Sequence, residues 1–355
     1  MIRPQWTRRR WLLVTLAVVL VTAAGVATWR WVHEDDTTRF EAALALAPKD
    51  AARLSWTDWS GVRRELGADI DADSTGEEVD GFLLKSYDRD LSGNTALEES
   101  ASTIQDEMGF SPATIDWELF AQGDKGAIVL MGLPEDFDYR GLRETLRDVG
   151  FTEPEEENGV WFGGVDLLEG LSGPVTPELA TLAIDEDAGV LYGSDQTSTL
   201  EDRAKRARGH REDGISDVVK TAGPALSAAA YVGSYTCAEL SMAQASPADR
   251  TRAAELIEAA GGVHPLTGYA IAAQPGGHVL VAMALETPEQ ARSDADSRRD
   301  LASGPAPGQG GTFTERFTLD EVSAADRVIR MDLSPVEGWQ VVSDLNQGPV
   351  LFATC

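Results

Sequence analysis

The sequence predicts an α+β protein: antiparallel sheets with packed helices, built as a two-fold internal repeat, behind one N-terminal transmembrane helix. Three observations point there. An uncharged apolar run of about 20 residues stands near the start. Later β-rich runs come in pairs joined by tight Gly- and Asp-containing turns, the mark of antiparallel pairing. The order strand, turn, strand, helix recurs at an offset of about 152 residues.

The apolar run extends from Trp11 to Trp29 and reads WLLVTLAVVLVTAAGVATW. Trp6 and Trp11 flank one end, Trp29 and Trp31 the other, as expected of aromatic belts at two interfaces. Arg8, Arg9 and Arg10 precede the run, and Glu34, Asp35 and Asp36 follow it. The positive-inside rule makes residues 1–10 a cytoplasmic tail, 11–32 the membrane helix, and the rest extracytoplasmic. Two alternatives keep that compartment. Cleavage after Ala27 releases a secreted protein. Thr7 to Leu13 also resembles a twin-arginine export signal.

Residues 33–50 read as a helical stalk ending at Pro48. A first half, 51–210, opens with a strand at Ala52–Thr57 and a short helix near Val62–Leu66. The acidic, turn-rich stretch Asp69–Asp80 precedes a helix at Ala96–Met108, begun by the capping-box pattern of Thr95 and Glu98. Strands at Trp117–Phe120 and Ala127–Leu133 turn at Gly123–Gly126. A helix at Tyr139–Val149 carries Leu142, Leu146 and Val149 on one face. Strands at Val160–Gly163, Leu179–Ile184 and Gly189–Gly193 and a helix at Thr199–Arg208 close the half. The second half, 225–355, has a strand at Ala228–Cys237, a helix at Pro247–Ala260, a hairpin of Gly268–Ala273 with His278–Leu285, and a helix at Pro288–Ser303. The flexible linker Gly304–Gly311 leads to strands at Thr312–Leu319 and Arg327–Leu333, a helix at Val336–Leu345 and a strand at Val350–Thr354. The offset sets Trp117 on Tyr269, Ile128 on Leu280 and Trp161 on Phe313.

The 355 residues are 43% hydrophobic and 25% charged, the balance of a globular chain. Acids outnumber bases 59 to 30, for a net charge of −29. The five bases of the first 33 residues face no acid there, so the external part is more acidic still. Such a surface repels nucleic acid and anionic headgroups and attracts basic partners. Scarce lysine beside abundant Arg, Ala, Gly, Asp and Glu reads as GC-rich coding bias. The two cysteines, Cys237 and Cys355, fall outside the membrane in this topology and are expected to pair as a disulfide joining two strands, the alternative being two free thiols.

Four segments carry a resemblance. They are Arg53-Leu-Ser-Trp-Thr-Asp-Trp59, Gly109-Phe-Ser-Pro-Ala-Thr-Ile-Asp-Trp-Glu-Leu119, Ala260-Gly-Gly-Val-His-Pro-Leu-Thr-Gly268 and Pro349-Val-Leu-Phe-Ala-Thr-Cys355. Together they resemble a group of exported, membrane-anchored proteins of unknown function from GC-rich Gram-positive (actinobacterial) bacteria. The resemblance covers nearly the whole chain. It implies location and architecture and carries no activity.

One stretch has metal-loop spacing. Asp88, Asp90, Ser92, Asn94 and Glu99, with Gly93 at the sixth position, match a calcium-binding loop, whose hard ion takes oxygen ligands and whose Gly permits the sharp turn. Thr95 stands where such loops carry a hydrophobic residue, and the competing reading is a polar turn capping the next helix. Asp69, Asp71 and Asp73, running on to Glu77, Glu78 and Asp80, read as a mobile acidic loop.

No nucleophile-elbow, zinc-helix or phosphate-loop pattern occurs. His33, His210, His264 and His278 show no ligand spacing. Trp56 and Trp59 bracket Asp58 and are expected in the core, or as a platform for a sugar ring or partner. The expected function is a non-catalytic, membrane-tethered binding or scaffolding protein of the cell envelope, whose partner is an envelope protein or wall component. The alternatives are an extracytoplasmic hydrolase using a carboxylate pair and a calcium-stabilised structural module.

Overall fold

The computed structural model describes residues 37–156 and 158–355. The tail expected at 1–10, the membrane helix expected at 11–32 and the start of the expected stalk lie outside the described residues. Among the described residues no helix is long and apolar enough to cross a membrane.

The strands are β1 (Arg53–Thr57), β2 (Trp117–Gly123), β3 (Gly126–Gly132), β4 (Val160–Phe162), β5 (Thr181–Asp185), β6 (Val190–Ser194), β7 (Ser227–Val232), β8 (Gly268–Ala273), β9 (Val279–Ala284), β10 (Phe317–Ala325) and β11 (Val328–Pro335). Turn chemistry sets their pairing. Gly123 faces Gly126 across Asp124 and Lys125, which closes β2 onto β3, and Gly126 leaves the turn at φ +103°, a conformation open to glycine. All eleven strands form one antiparallel sheet in the order β10-β11-β9-β8-β7-β1-β2-β3-β6-β5-β4. The two halves of the chain meet in its middle, where Ser55 of β1 pairs with Ala229 of β7.

Nine helices are used below: α1 (Arg39–Leu46), α2 (Trp59–Leu66), α3 (Gly76–Asp88), α4 (Ala101–Met108), α5 (Tyr139–Val149), α6 (Asp213–Ala222), α7 (Pro247–Ala259), α8 (Pro288–Ala302) and α9 (Val341–Leu345). Strand side chains alternate between faces, so the sheet has two cores. On β7, Ala228 and Ala230 join one cluster, while Ala229 and Tyr231 join the other. The first cluster is covered by α1 and α6 through Phe40, Ala43, Leu44, Ile215, Val218 and Val219. The larger cluster lies under α2, α3, α4, α5 and α8, among others.

Several elements depart from expectation for identifiable reasons. The acidic stretch ends in α3, whose Thr75 accepts from the Glu78 amide while Glu78 returns a bond to the Thr75 amide. Val79, Phe82, Leu83 and Ser86 form its buried face, and each large apolar side chain so buried contributes roughly 1.5–3 kcal/mol. The capping box expected at Thr95 does not form, because the Thr95 hydroxyl donates instead to Glu118. The segment 210–225, passed over in the sequence, contains α6. Part of the expected stalk is α1, which lies docked on the sheet with Phe40 stacked 5.0 Å from Trp56.

Trp56 also stacks on Trp117 and donates to the Ala225 carbonyl, and Trp59 donates to Glu118. Both are fully buried, so they are core residues and offer no sugar platform. Trp117 and Tyr269 point into opposite cores, and Phe313 lies in a short helical turn where Trp161 lies in β4. The 304–311 linker is held down by Arg316, which donates to the Gln309 and Gly310 carbonyls.

Cys237 and Cys355 stand with Cα atoms 5.5 Å apart and sulfurs at bonding distance, which suits a disulfide. Neither lies in a strand. After β7 ends at Val232, Gly233 runs so close to Leu266 and Thr267 that no side chain fits, and the chain turns helical through 233–240. Cys355 follows a helical turn at Leu351–Ala353.

Candidate functional site

Loop 88–99 is shaped by what its side chains hold. Asp90 adopts φ +58°, a conformation Asp tolerates better than most residues. Its carboxylate accepts from the amides of Val342 (2.6 Å) and Ser343 (3.1 Å) and from the Ser343 hydroxyl (2.6 Å). It thereby fastens the loop to the start of α9, 252 residues away along the chain. Burial pushes the Asp90 carboxyl up to about 6, against the pull of those donors. Asn94 is buried, donating to the Ser227 hydroxyl and accepting from Asn346. The loop's far end is held by Glu118, a fully buried carboxyl that accepts from Trp59, Thr95 and the Ala96 amide. Burial raises Glu118 as well.

The calcium-loop residues are thus dispersed in role. Asp90 and Asn94 bind protein groups, Ser92 is buried, and Asp88 and Glu99 are exposed. Among the described residues no three His, Cys, Asp or Glu gather as a metal site. Engagement as a cap also removes Asp90 from free acid–base work.

Asp88 and Asp90 do line a groove of about 420 Å³. Its walls come from three distant segments: 88–91 after α3, the β8–β9 turn with Gln274 and His278, and 335–339 with Val336, Glu337 and Trp339. Sheet order brings them together, since β8, β9 and β11 are neighbours. Sequence reading placed 336–340 in a helix. Gly338, at φ +90°, breaks it there and leaves a loop, so the helix is confined to α9. The Gly was the available signal.

The rim is apolar. Leu84, Tyr87, Val336 and Trp339 are four of the six large hydrophobic side chains exposed among the described residues. Leu84 precedes Asp88 by one turn of α3, and Gln340 donates to the Tyr87 carbonyl, tying the two rims. Trp339 is 42% exposed and its ring lies 5.1 Å from the Arg316 guanidinium. Asp88 and Glu337 line the same groove with carboxylates, and Arg89 lines it with a guanidinium. The arrangement suits a flat or aliphatic group against Trp339 with a cation beside the carboxylates.

Asp90 makes stability depend on pH in a definite sense. Between pH 4 and 6 the folded chain holds a proton here that the unfolded chain has released, so this contribution falls as pH rises. A shift from 3.8 to about 6 corresponds to about 3 kcal/mol. Asp90→Asn keeps the left-handed conformation and a capping oxygen but cannot ionise. Urea midpoints at pH 4 and pH 7 should therefore differ less in Asp90→Asn than in the parent, and equal differences would refute the assignment.

No protein-family model matches this chain, and no curated protein matches it. Two solved structures, titled as crystal forms I and III of TP0453, match with TM-scores of 0.39 and 0.38. Each is 9% identical over 85% of this chain and 96% or 97% of theirs.

Proposed function

We propose that this chain is a non-catalytic binding protein of a bacterial cell envelope, anchored by residues 11–32 with its acidic domain outside, and that the groove at Trp339 grips a basic polypeptide segment. The topology is supported by the apolar run, its tryptophan flanks and the basic residues before it. A bondable cysteine pair agrees with an oxidising compartment. The observation that carries the binding reading is the rim: a domain that buries Trp56, Trp59 and Trp161 leaves Trp339 exposed beside Tyr87, Val336 and Leu84. The chain's excess of acids, and the carboxylates of Asp88 and Glu337 against the single guanidinium of Arg89 in the groove, favour a cationic partner.

The test is a photo-crosslinking residue at Glu337 in living cells, with Trp339→Ala as control. Trp339 is half exposed, so its loss should move the melting temperature little. The expected adduct maps to a Lys- or Arg-rich segment of another chain and falls about tenfold in Trp339→Ala, a loss typical of an aromatic anchor. Adducts that map to acidic segments, or that persist in the variant, would sink the reading.

We further infer that the domain grew from two related halves. Reading outward from the β1–β7 pair, one side runs β2, β3, β6, β5 and the other β8, β9, β11, β10, so hairpins occupy equivalent places. At the centre Leu54 pairs with Ala230 and Trp56 with Ala228, symmetrically about Ser55 and Ala229. Setting Phe120 on Ile271, one residue from the sequence alignment, returns both to the same core. The longer β8–β9 turn accounts for the slip.

A further inference from the structure

Loop 88–99 is fastened at its two ends by carboxyls that face no cation. At one end Asp90, half-buried, accepts from the amides of Val342 and Ser343 at the start of α9 and from the Ser343 hydroxyl. At the other Glu118, on β2 and 1% exposed, accepts from the Ala96 amide, the Trp59 indole and the Thr95 hydroxyl. Neither acid enters an ion pair among the described residues. Asp88 and Arg89 stand beside Asp90 on the loop, Asp344 acts on it from α9, and His278 and Glu337 line the same groove. The groups that meet Glu118 are all neutral.

A carboxylate buried without a cation is costly, and such a group takes up a proton instead. Both sites are built to hold one. In each, one carboxyl oxygen takes a backbone amide and the other takes a hydroxyl together with an N–H. Asp90 Oδ1 lies 2.6 Å from the Ser343 hydroxyl, and Glu118 Oε2 lies 2.5 Å from that of Thr95. A hydroxyl donates or accepts, so an added proton finds its acceptor while the amide keeps its bond to the other oxygen. Burial raises both acids, Asp90 to about 6, against the pull of their donors, and the like charge of Asp344 adds to the rise at Asp90. Stability held in this way is full below the unfolded-state values and is lost as pH rises through the folded-state ones.

We propose that loop 88–99 is a pH latch, held at both ends while Asp90 and Glu118 carry protons and loosened as they ionise. Residues 88–91 form one wall of the Trp339 groove, and Val342 of α9 lines it too. The latch therefore sets how firmly the groove keeps its shape, firmer in acid and looser at neutral pH. Leu91 and Leu97 are buried in the larger core and keep the loop from leaving it, so the change is a local opening and not unfolding. The latch rests on these contacts and holds whatever the groove binds.

The test is hydrogen exchange of the detergent-solubilised full chain at pH 5 and pH 8, corrected for the intrinsic rate and read by mass spectrometry. Segments 88–99 and 340–346 should lose about tenfold in protection relative to α5, the change that a rise of Asp90 from 3.8 to about 6 sets over this interval. In Asp90→Asn, which cannot ionise, 340–346 should lose less than about threefold. Glu118→Gln should flatten the response of 94–99 in the same way; if that buried variant fails to fold, Asp90→Asn decides alone. His278→Gln, which removes the groove's imidazole, should leave the loss intact. Protection of the loop that tracks α5 at both pH values, a full loss in Asp90→Asn, or a loss abolished by His278→Gln would overturn the proposal.

Discussion

Replacing Arg298 with alanine lowers the unfolding free energy by about 3–5 kcal/mol, the range for breaking a buried charge pair. Arg298 is fully buried on α8. Its Nη1 donates to the carbonyls of Phe352 (2.6 Å) and Thr354 (3.0 Å), and its Nη2 to that of His264 (2.5 Å). Asp294, 2% exposed and one turn earlier, lies 3.5 Å away. Burial depresses the guanidinium to about 10, against the support of Asp294, so it stays charged at neutral pH. Alanine would leave three carbonyls short of a donor and Asp294 without its cation. Arg298→Lys restores charge but lacks the planar fork that reaches two directions at once, and should recover less than half of the loss. Urea denaturation of the solubilised chain measures both, and an Arg298→Ala protein within 1 kcal/mol of the parent would contradict this account.

Breaking the link between Cys237 and Cys355 should cost about 5 kcal/mol on loop-closure grounds, because it spans 118 residues. Dithiothreitol should lower the urea midpoint of the parent and leave a Cys237→Ser, Cys355→Ser double variant unmoved. A parent protein indifferent to reductant would mean that the sulfurs are not bonded in the isolated material. The two predictions are coupled. Arg298 holds Phe352 and Thr354, the residues leading into Cys355. Once the sulfurs are separated this stretch has a weaker hold on α8, so Arg298→Ala should cost less in reduced than in oxidised protein.

Legibility from sequence followed the range of the interactions. The helix at Tyr139–Val149 and the Gly123–Gly126 hairpin rest on neighbours a few residues apart, and both lie where the pattern put them. α3 was hidden because Glu77, Glu78 and Asp80 suggested solvent, although Thr75 and Glu78 cap it and Val79, Phe82 and Leu83 have helical spacing. α6 has the same kind of pattern in Ile215, Val218, Val219 and Ala222. Pairing of Cys237 with Cys355 could be anticipated from compartment and count, but not the helical turns that carry them. The calcium spacing of 88–99 says nothing of what two of its residues hold in the fold. Asp90 and Asn94 serve residues near 227 and 342–346, which no local pattern reveals. The groove at Trp339 shares that origin, since its walls meet only through the sheet order.

The two outer strands have a consequence for the molecule's behaviour in a crowd. An eleven-stranded sheet ends in two rows of backbone groups, each able to recruit a second copy. Here one end is β4, three residues long, whose outer side is already met by Thr152. The other is β10, kinked by a register shift between Leu319 and Glu321 and bearing Asp320 and Glu321 exposed. The short, partly covered β4 and the kinked, acidic β10 do not match in shape, and two β10 edges repel each other, so lateral polymerisation is disfavoured at both ends. A chain this rich in paired strands can therefore be concentrated without zipping into fibres.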